Sequence, residues 1–65
     1  MMTIAKYSEG DVFIHREFPN EKRKILYTVY EQSVVYYMIR NMNNDTYPPS
    51  PIEETNLDKH YIVVK

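Results

Sequence analysis

Lys24-Ile25-Leu26-Tyr27-Thr28-Val29-Tyr30 and, after Glu31-Gln32-Ser33, Val34-Val35-Tyr36-Tyr37-Met38-Ile39-Arg40 are the stretches that decide how this chain folds. Both runs are rich in β-branched and aromatic residues, which suit a pleated, packed surface, so they read as two strands of a hairpin. A strand with one wet face alternates apolar and polar residues. Here Val34 to Ile39 is apolar at six consecutive positions, and Ile25 to Tyr30 is polar only at Thr28. Both faces of the hairpin therefore call for cover.

The interruption Glu31-Gln32-Ser33 lacks the Asn-Gly or Asp-Gly pair of a two-residue turn, so a loop of three or more residues is expected. With those three as the loop, Tyr30 opposes Val34, Thr28 opposes Tyr36 and Leu26 opposes Met38 on one face. The other face then carries Val29 with Val35, Tyr27 with Tyr37 and Ile25 with Ile39. A two-residue loop would change the partners by one, and the register stays open at this level.

Outward from the hairpin, Ser8-Glu9-Gly10-Asp11 is a turn feeding the strand Val12-Phe13-Ile14-His15-Arg16-Glu17-Phe18, which stops at Pro19-Asn20-Glu21-Lys22. Beyond the hairpin, residues 41–45 are turn-rich. Tyr47-Pro48-Pro49-Ser50-Pro51 cannot be a central strand, because three of its five residues lack a backbone donor. Ser50, Pro51 and Glu53 stand at Ncap, N1 and N3 of a capping box, which places a short helical turn over residues 51–58. Tyr61-Ile62-Val63-Val64 closes the chain as a final strand.

With 65 residues and no second composition regime, residues 1–65 read as a single domain with one core. A domain of this size buries only about 60% of the surface its unfolded chain exposes. One core covers one face of a hairpin, so three explanations compete for the other. It wraps inside a strongly bent small barrel; or the Pro-rich loop and helical turn cover it, with Tyr47, Ile52 and Leu57 as a lid; or it is a recognition surface. Six side chains each leaving about 60 Å² bare would make a patch near 360 Å², whose burial contributes roughly 9 kcal/mol before association costs.

Composition removes several function classes. No Cys is present, so there is neither a disulfide framework nor a thiolate metal site. One Gly leaves no glycine-rich phosphate loop. His15 and His60 are 45 positions apart, with no short-spacing ligand pair, so they read as solvent-facing residues at element ends. Ser8, Ser33 and Ser50 lie in turn contexts with no His at fixed short spacing. The expectation is a non-enzyme with no catalytic residue, metal or cofactor. A net charge of −1 argues against an overall positive field for nucleic acid or anionic membrane. No apolar run approaches the roughly 20 residues of a bilayer span, and a cytoplasmic location is expected.

Two charge clusters stand out. Arg16, Lys22, Arg23 and Lys24 flank the first hairpin turn, diluted by Glu17 and Glu21 to a local net of +2, and Tyr27 and Tyr30 follow. Such a mixture suits single-stranded nucleic acid, although a charged edge that discourages strand addition explains it as well. Asp45, Glu53, Glu54 and Asp58 give residues 41–58 a local net of −4, read as a solvated loop with a capped helix start or as an acidic face for a basic partner.

The order of elements resembles the SH3-like small β-barrels. The likeness rests on Gly10-Asp11-Val12-Phe13 entering the first strand, Tyr27-Thr28-Val29-Tyr30 in the second and Met38-Ile39-Arg40-Asn41 ending the third. It continues in Glu53-Glu54-Thr55-Asn56-Leu57 as the helical turn before the last strand, Tyr61-Ile62-Val63. The resemblance implies an antiparallel barrel of four to five strands. The chain has no Ala-Leu-Tyr-Asp-Tyr run and no paired Trp, so neither proline-rich peptide binding nor RNA binding carries over. In brevity and in Asn and Tyr content it is also similar to small bacteriophage or mobile-element proteins, many of which bind and inhibit a host protein.

The sequence thus points to a non-enzymatic interaction module that occludes a surface, as a homodimer or against a protein partner. Its face is Leu26, Tyr30, Val34, Tyr36 and Met38, with Arg16, Lys22, Arg23 and Lys24 as a charged rim. The alternative is a small nucleic-acid binder that uses this rim and the tyrosines.

Overall fold

The computed structural model describes residues 4–64. Strands β1 (Val12–His15), β2 (Lys22–Glu31), β3 (Val34–Asn41) and β4 (Ser50–Glu53) lead into helix α1 (Glu54–His60) and strand β5 (Tyr61–Val64). They form one antiparallel sheet in the order β4-β3-β2-β1-β5. The mainly β class, the five strands and the last strand Tyr61–Val64 agree with the sequence reading. The ladder ends at β4 on one side and β5 on the other and does not close on itself.

Two irregularities in the hairpin set everything downstream. The turn has two residues, not three: Glu31 pairs with Val34, and Gln32 and Ser33 take φ of 49° and 68°. Positive φ at both central positions is the type I′ geometry, whose twist matches that of the flanking strands, and it forms here without Asn or Gly. The register then shifts between Ile25 and Tyr27, leaving Leu26 as the extra residue of a β-bulge. Above the bulge the pairs are Tyr30 with Val35, Val29 with Tyr36, Thr28 with Tyr37 and Tyr27 with Met38. The sequence-based partners are off by one there. Below it Ile25 does face Ile39, because the bulge cancels the shift that the shorter turn introduces.

Directly opposed residues share a face, so the register sorts the sheet into two sides. The inner side carries Phe13, Ile25, Val35, Tyr37 and Ile39, which with Leu57 of α1 form the buried core. All the sheet residues that are buried lie on this side. Leu57 and Ile52, which one of the three explanations makes a lid for the second face, pack on this same inner side. Tyr47 is exposed.

The helix starts three residues later than the capping box predicts. Ser50 and Pro51 belong to β4, where Pro51 pairs with Met38 and Ile52 with Tyr37. Burying Ile52 against the core outweighs a cap from Ser50, and Glu53 stands at the N-cap with no side-chain bond to the helix backbone. Pro51 is tolerated because β4 is an edge strand. Strand β1 ends at His15, short of the expected Phe18, and Glu21 N–H donates to Phe18 O at 2.8 Å as the chain turns into β2.

Residues 4–11, ahead of β1, have no regular structure but are tied down. Ala5 and Tyr7 pack on the core, and Tyr7 meets Phe13 edge-to-face at 4.8 Å. Lys6 N–H donates to Glu54 Oε2 at 2.9 Å, Lys6 Nζ to Asp58 Oδ2 at 2.7 Å, and Tyr7 O–H to Asp58 Oδ1. Tyr7 N–H donates to Tyr37 Oη at 3.1 Å, and that hydroxyl donates to Glu54 Oε2. Glu54 and Asp58, one helical turn apart, hold this strap from one face of α1.

Candidate interaction face

The side of the sheet away from α1 is assembled in rows by the strand register. Ile62, Ile14 and Lys22 make the first row, then Val64, Val12, Lys24 and Arg40. Past the bulge come Tyr27, Met38 and Pro51, then Val29, Tyr36 and Glu53, and finally Glu31 with Val34. None of these residues is buried, and Tyr27, Ile62 and Val64 are exposed. The apolar side chains of this outer side are half-buried or exposed.

Of the face read from sequence, Val34, Tyr36 and Met38 do share this side. Tyr30 does not: paired with Val35, it stands on the inner side at the tip of the hairpin, 57% exposed. Leu26 sits in the bulge. Tyr27 and Val29 take their places, residues that the assumed three-residue loop assigned to the opposite face.

The charged rim divides in the same way. Lys22 and Lys24 lie on the outer side, exposed, joined by Arg40, whose guanidinium donates to Asp45 Oδ1 at 2.9 Å. Arg23 belongs to the inner side, where it donates to Glu21 Oε2 at 3.2 Å and Lys22 O at 2.9 Å. With Ile39, Asn41, Tyr47, Pro48 and Ser50 it lines a shallow recess of about 260 Å³. Arg16 serves α1: its guanidinium donates to Asp58 O at 3.0 and 3.3 Å, satisfying a carbonyl of the last turn.

The acidic cluster is similarly dispersed. Glu54 and Asp58 hold the strap, Asp45 pairs with Arg40, and Glu53 Oε1 accepts from Thr55 Oγ1 at 3.1 Å. The hydrogen bond from the Lys6 ammonium, followed by that from the Tyr7 hydroxyl, holds the Asp58 carboxyl below its ordinary range. The Tyr7 phenol is pushed up by its bond to Asp58 and by burial, and Tyr37 is pushed up by burial and then by its bond to Glu54. Sequence reading missed this network because its partners are 17 to 52 positions apart.

His15 and His60, distant in sequence, are brought together, with stacked rings 6.2 Å apart at the end of β1 and the end of α1. His15 Nδ1 accepts from Glu17 N–H at 3.1 Å, and its ring also contacts Tyr61 and Phe18. Among the described residues no group of three or more His, Cys, Asp or Glu is placed to hold a metal ion, and no helix is long and apolar enough to cross a membrane.

Compared with protein-family models, curated proteins and solved structures, the chain matches none.

Proposed function

We propose that this chain is a non-enzymatic protein-interaction module of SH3-like barrel type that acts by occluding a surface through the outer side of its sheet. A meander β1 to β4, a helix, and a return strand beside β1 support the barrel-type assignment. One observation carries the functional reading: the buried residues of the sheet all lie on one side, while equally apolar residues of the same strands are only half-buried or exposed on the other. Tyr and Met at the centre of that side, Tyr27, Tyr36 and Met38, are types that give large contact area with a polar or polarizable component. Occlusion of a host protein, as by inhibitors of phage type, is the form of action this reading favours.

The test is affinity capture from host lysate with Tyr36→Asp as the control. Tyr36 is outside the core, so the variant keeps the fold, and a partner retained by the wild type is expected to be lost. Identical sets captured by both proteins, with matching melting curves, overturn the assignment of this face.

A second reading, a nucleic-acid binder, is favoured by Lys22 and Lys24 lying beside exposed Tyr27 on one side. Two or three phosphate contacts give a salt slope of only about −2 to −3. Lys22→Ala with Lys24→Ala is expected to abolish oligonucleotide binding under this reading and mostly to slow association under the first.

A further inference from the structure

On the outer side of β2 the charges stand at the two ends of the strand, while Arg40 on β3 is paired with Asp45 and Glu53 on β4 accepts from Thr55. Lys22 and Lys24 stand at one end of β2 and Glu31 at the other, and none of the three forms an ion pair among the described residues. With Leu26 taken up by the bulge, Lys24 and Glu31 are about 20 Å apart along the sheet, the span from Arg40 to Val34 on β3 at about 3.4 Å per residue. The midpoint falls at the level of Thr28 and Tyr37, between Tyr27 and Val29 on β2 and between Tyr36 and Met38 on β3. The apolar centre of β2 and β3 thus lies midway between Lys24 and Glu31.

We propose that the outer side pairs with a second copy of this chain, face to face, about a two-fold axis lying between the two sheets and across the strands at that level. The inference rests on the interaction reading above and names its partner. Rotation about this axis preserves the strand columns and inverts the rows. Lys24 of one copy then lies over Glu31 of the other and Glu31 over Lys24, while Tyr27, Val29, Tyr36 and Met38 of both copies meet in the middle. Such an interface is isologous, and each charge pair occurs twice. Any other protein would have to supply this alternation of cation, apolar centre and anion; a second copy carries it.

The area is small. The limb of β2, β3 and β4, the part that inverted rows bring together, offers about 300 Å² per copy, because β1 and β5 lie only at the Lys22 and Lys24 end. Two copies therefore remove roughly 600 Å² from water, below the lower limit of stable specific interfaces. Weak association, weakened further by salt, is what such an interface supports.

Sedimentation velocity on the full chain, from low micromolar to near-millimolar concentration, tests the proposal. The wild type is expected to rise from 7.9 kDa towards twice that mass. Lys24→Glu and Glu31→Lys, both at exposed positions, each place like charges together twice and are expected to weaken association about tenfold or more. The double variant restores complementarity and is expected to recover association to within about threefold. A wild type that stays at 7.9 kDa throughout, single reversals without effect, or a folded double variant that fails to recover overturns the pairing. If the wild type is monomeric while Tyr36→Asp still loses a captured partner, self-pairing falls and the interaction reading stands. If neither is seen, both fall.

Discussion

Strand β3 presents two sets of three side chains that are chemically alike and differ in what lies over them. Val35, Tyr37 and Ile39 point inward and are 4%, 0% and 6% exposed; Val34, Tyr36 and Met38, alternating with them, remain half-buried. Hydrophobicity alone does not decide which set becomes core. The decision comes from α1 and the Lys6-Tyr7 strap, which cover one side and leave the other. A chain of this size has enough interior for one of the two sets, and the sheet's neighbours choose which.

The largest effect expected is therefore a difference between neighbours in sequence. Phe13→Ala or Tyr37→Ala removes a fully buried ring, at a cost of about 3–5 kcal/mol. A domain of this length has about 3–10 kcal/mol to lose, so these variants are expected to be largely unfolded. Tyr36→Ala, one position from Tyr37, is expected to cost within about 1 kcal/mol in the monomer. Urea denaturation at low concentration checks the contrast; equal losses at positions 36 and 37 would contradict the division into sides.

A smaller effect isolates the strap. Tyr37→Phe keeps the ring and deletes the hydroxyl that accepts from Tyr7 N–H and donates to Glu54, at an expected cost of about 1–2 kcal/mol. Tyr36→Phe is expected to change nothing. The pH profile carries the same signature. The Tyr7 and Tyr37 phenols titrate above their ordinary value of 10.0 in the folded chain, so their contribution is complete below that pH and is lost as pH rises. Asp58 titrates below its ordinary 3.8, so its contribution is complete above that value and is lost as pH falls further. Melting temperature against pH is expected to fall at both ends, with Tyr37→Phe flattening the alkaline limb and Asp58→Asn the acid one.

How much of this was legible follows from where the signals are local. Composition and punctuation mark the strands: Val12 after the Gly10 turn, the two long runs, and Tyr61–Val64 after a helical turn. The apolar excess of β3 marks both faces as calling for cover and leaves open whether a barrel, a lid or a recognition surface supplies it. The assignment of residues to sides is not local. Ile25 and Tyr27 differ by two positions and would share a face in any regular strand, yet the bulge at Leu26 puts one in the core and the other in water. No glycine marks that bulge, and no Asn-Gly marks the turn, because both conformations are imposed by the packing of Ile25, Val35 and Tyr37 on α1. The strap was invisible for another reason: Ala5, Lys6 and Tyr7 carry no periodicity, and their partners lie on a helix near the other end of the described chain.

The two-residue turn is where the comparison can be sharpened most gently. Gln32 and Ser33 hold φ of 49° and 68°, a region that costs a residue with a Cβ free energy and that Asn tolerates better than Gln. Gln32→Asn is therefore expected to stabilise the chain by a few tenths to about 1 kcal/mol, seen as a rise in melting temperature with the same urea dependence. Inserting one Gly between Gln32 and Ser33 lengthens the loop to three residues with Glu31 still opposite Val34, so it keeps the two sides, loses only the tight turn and is expected to lower the melting temperature slightly. If Gln32→Asn were instead harmful, the three-residue loop Glu31-Gln32-Ser33, with Tyr30 opposite Val34, would be the native one. The outer side would then lose the two residues, Tyr27 and Val29, that place its apolar centre midway between Lys24 and Glu31.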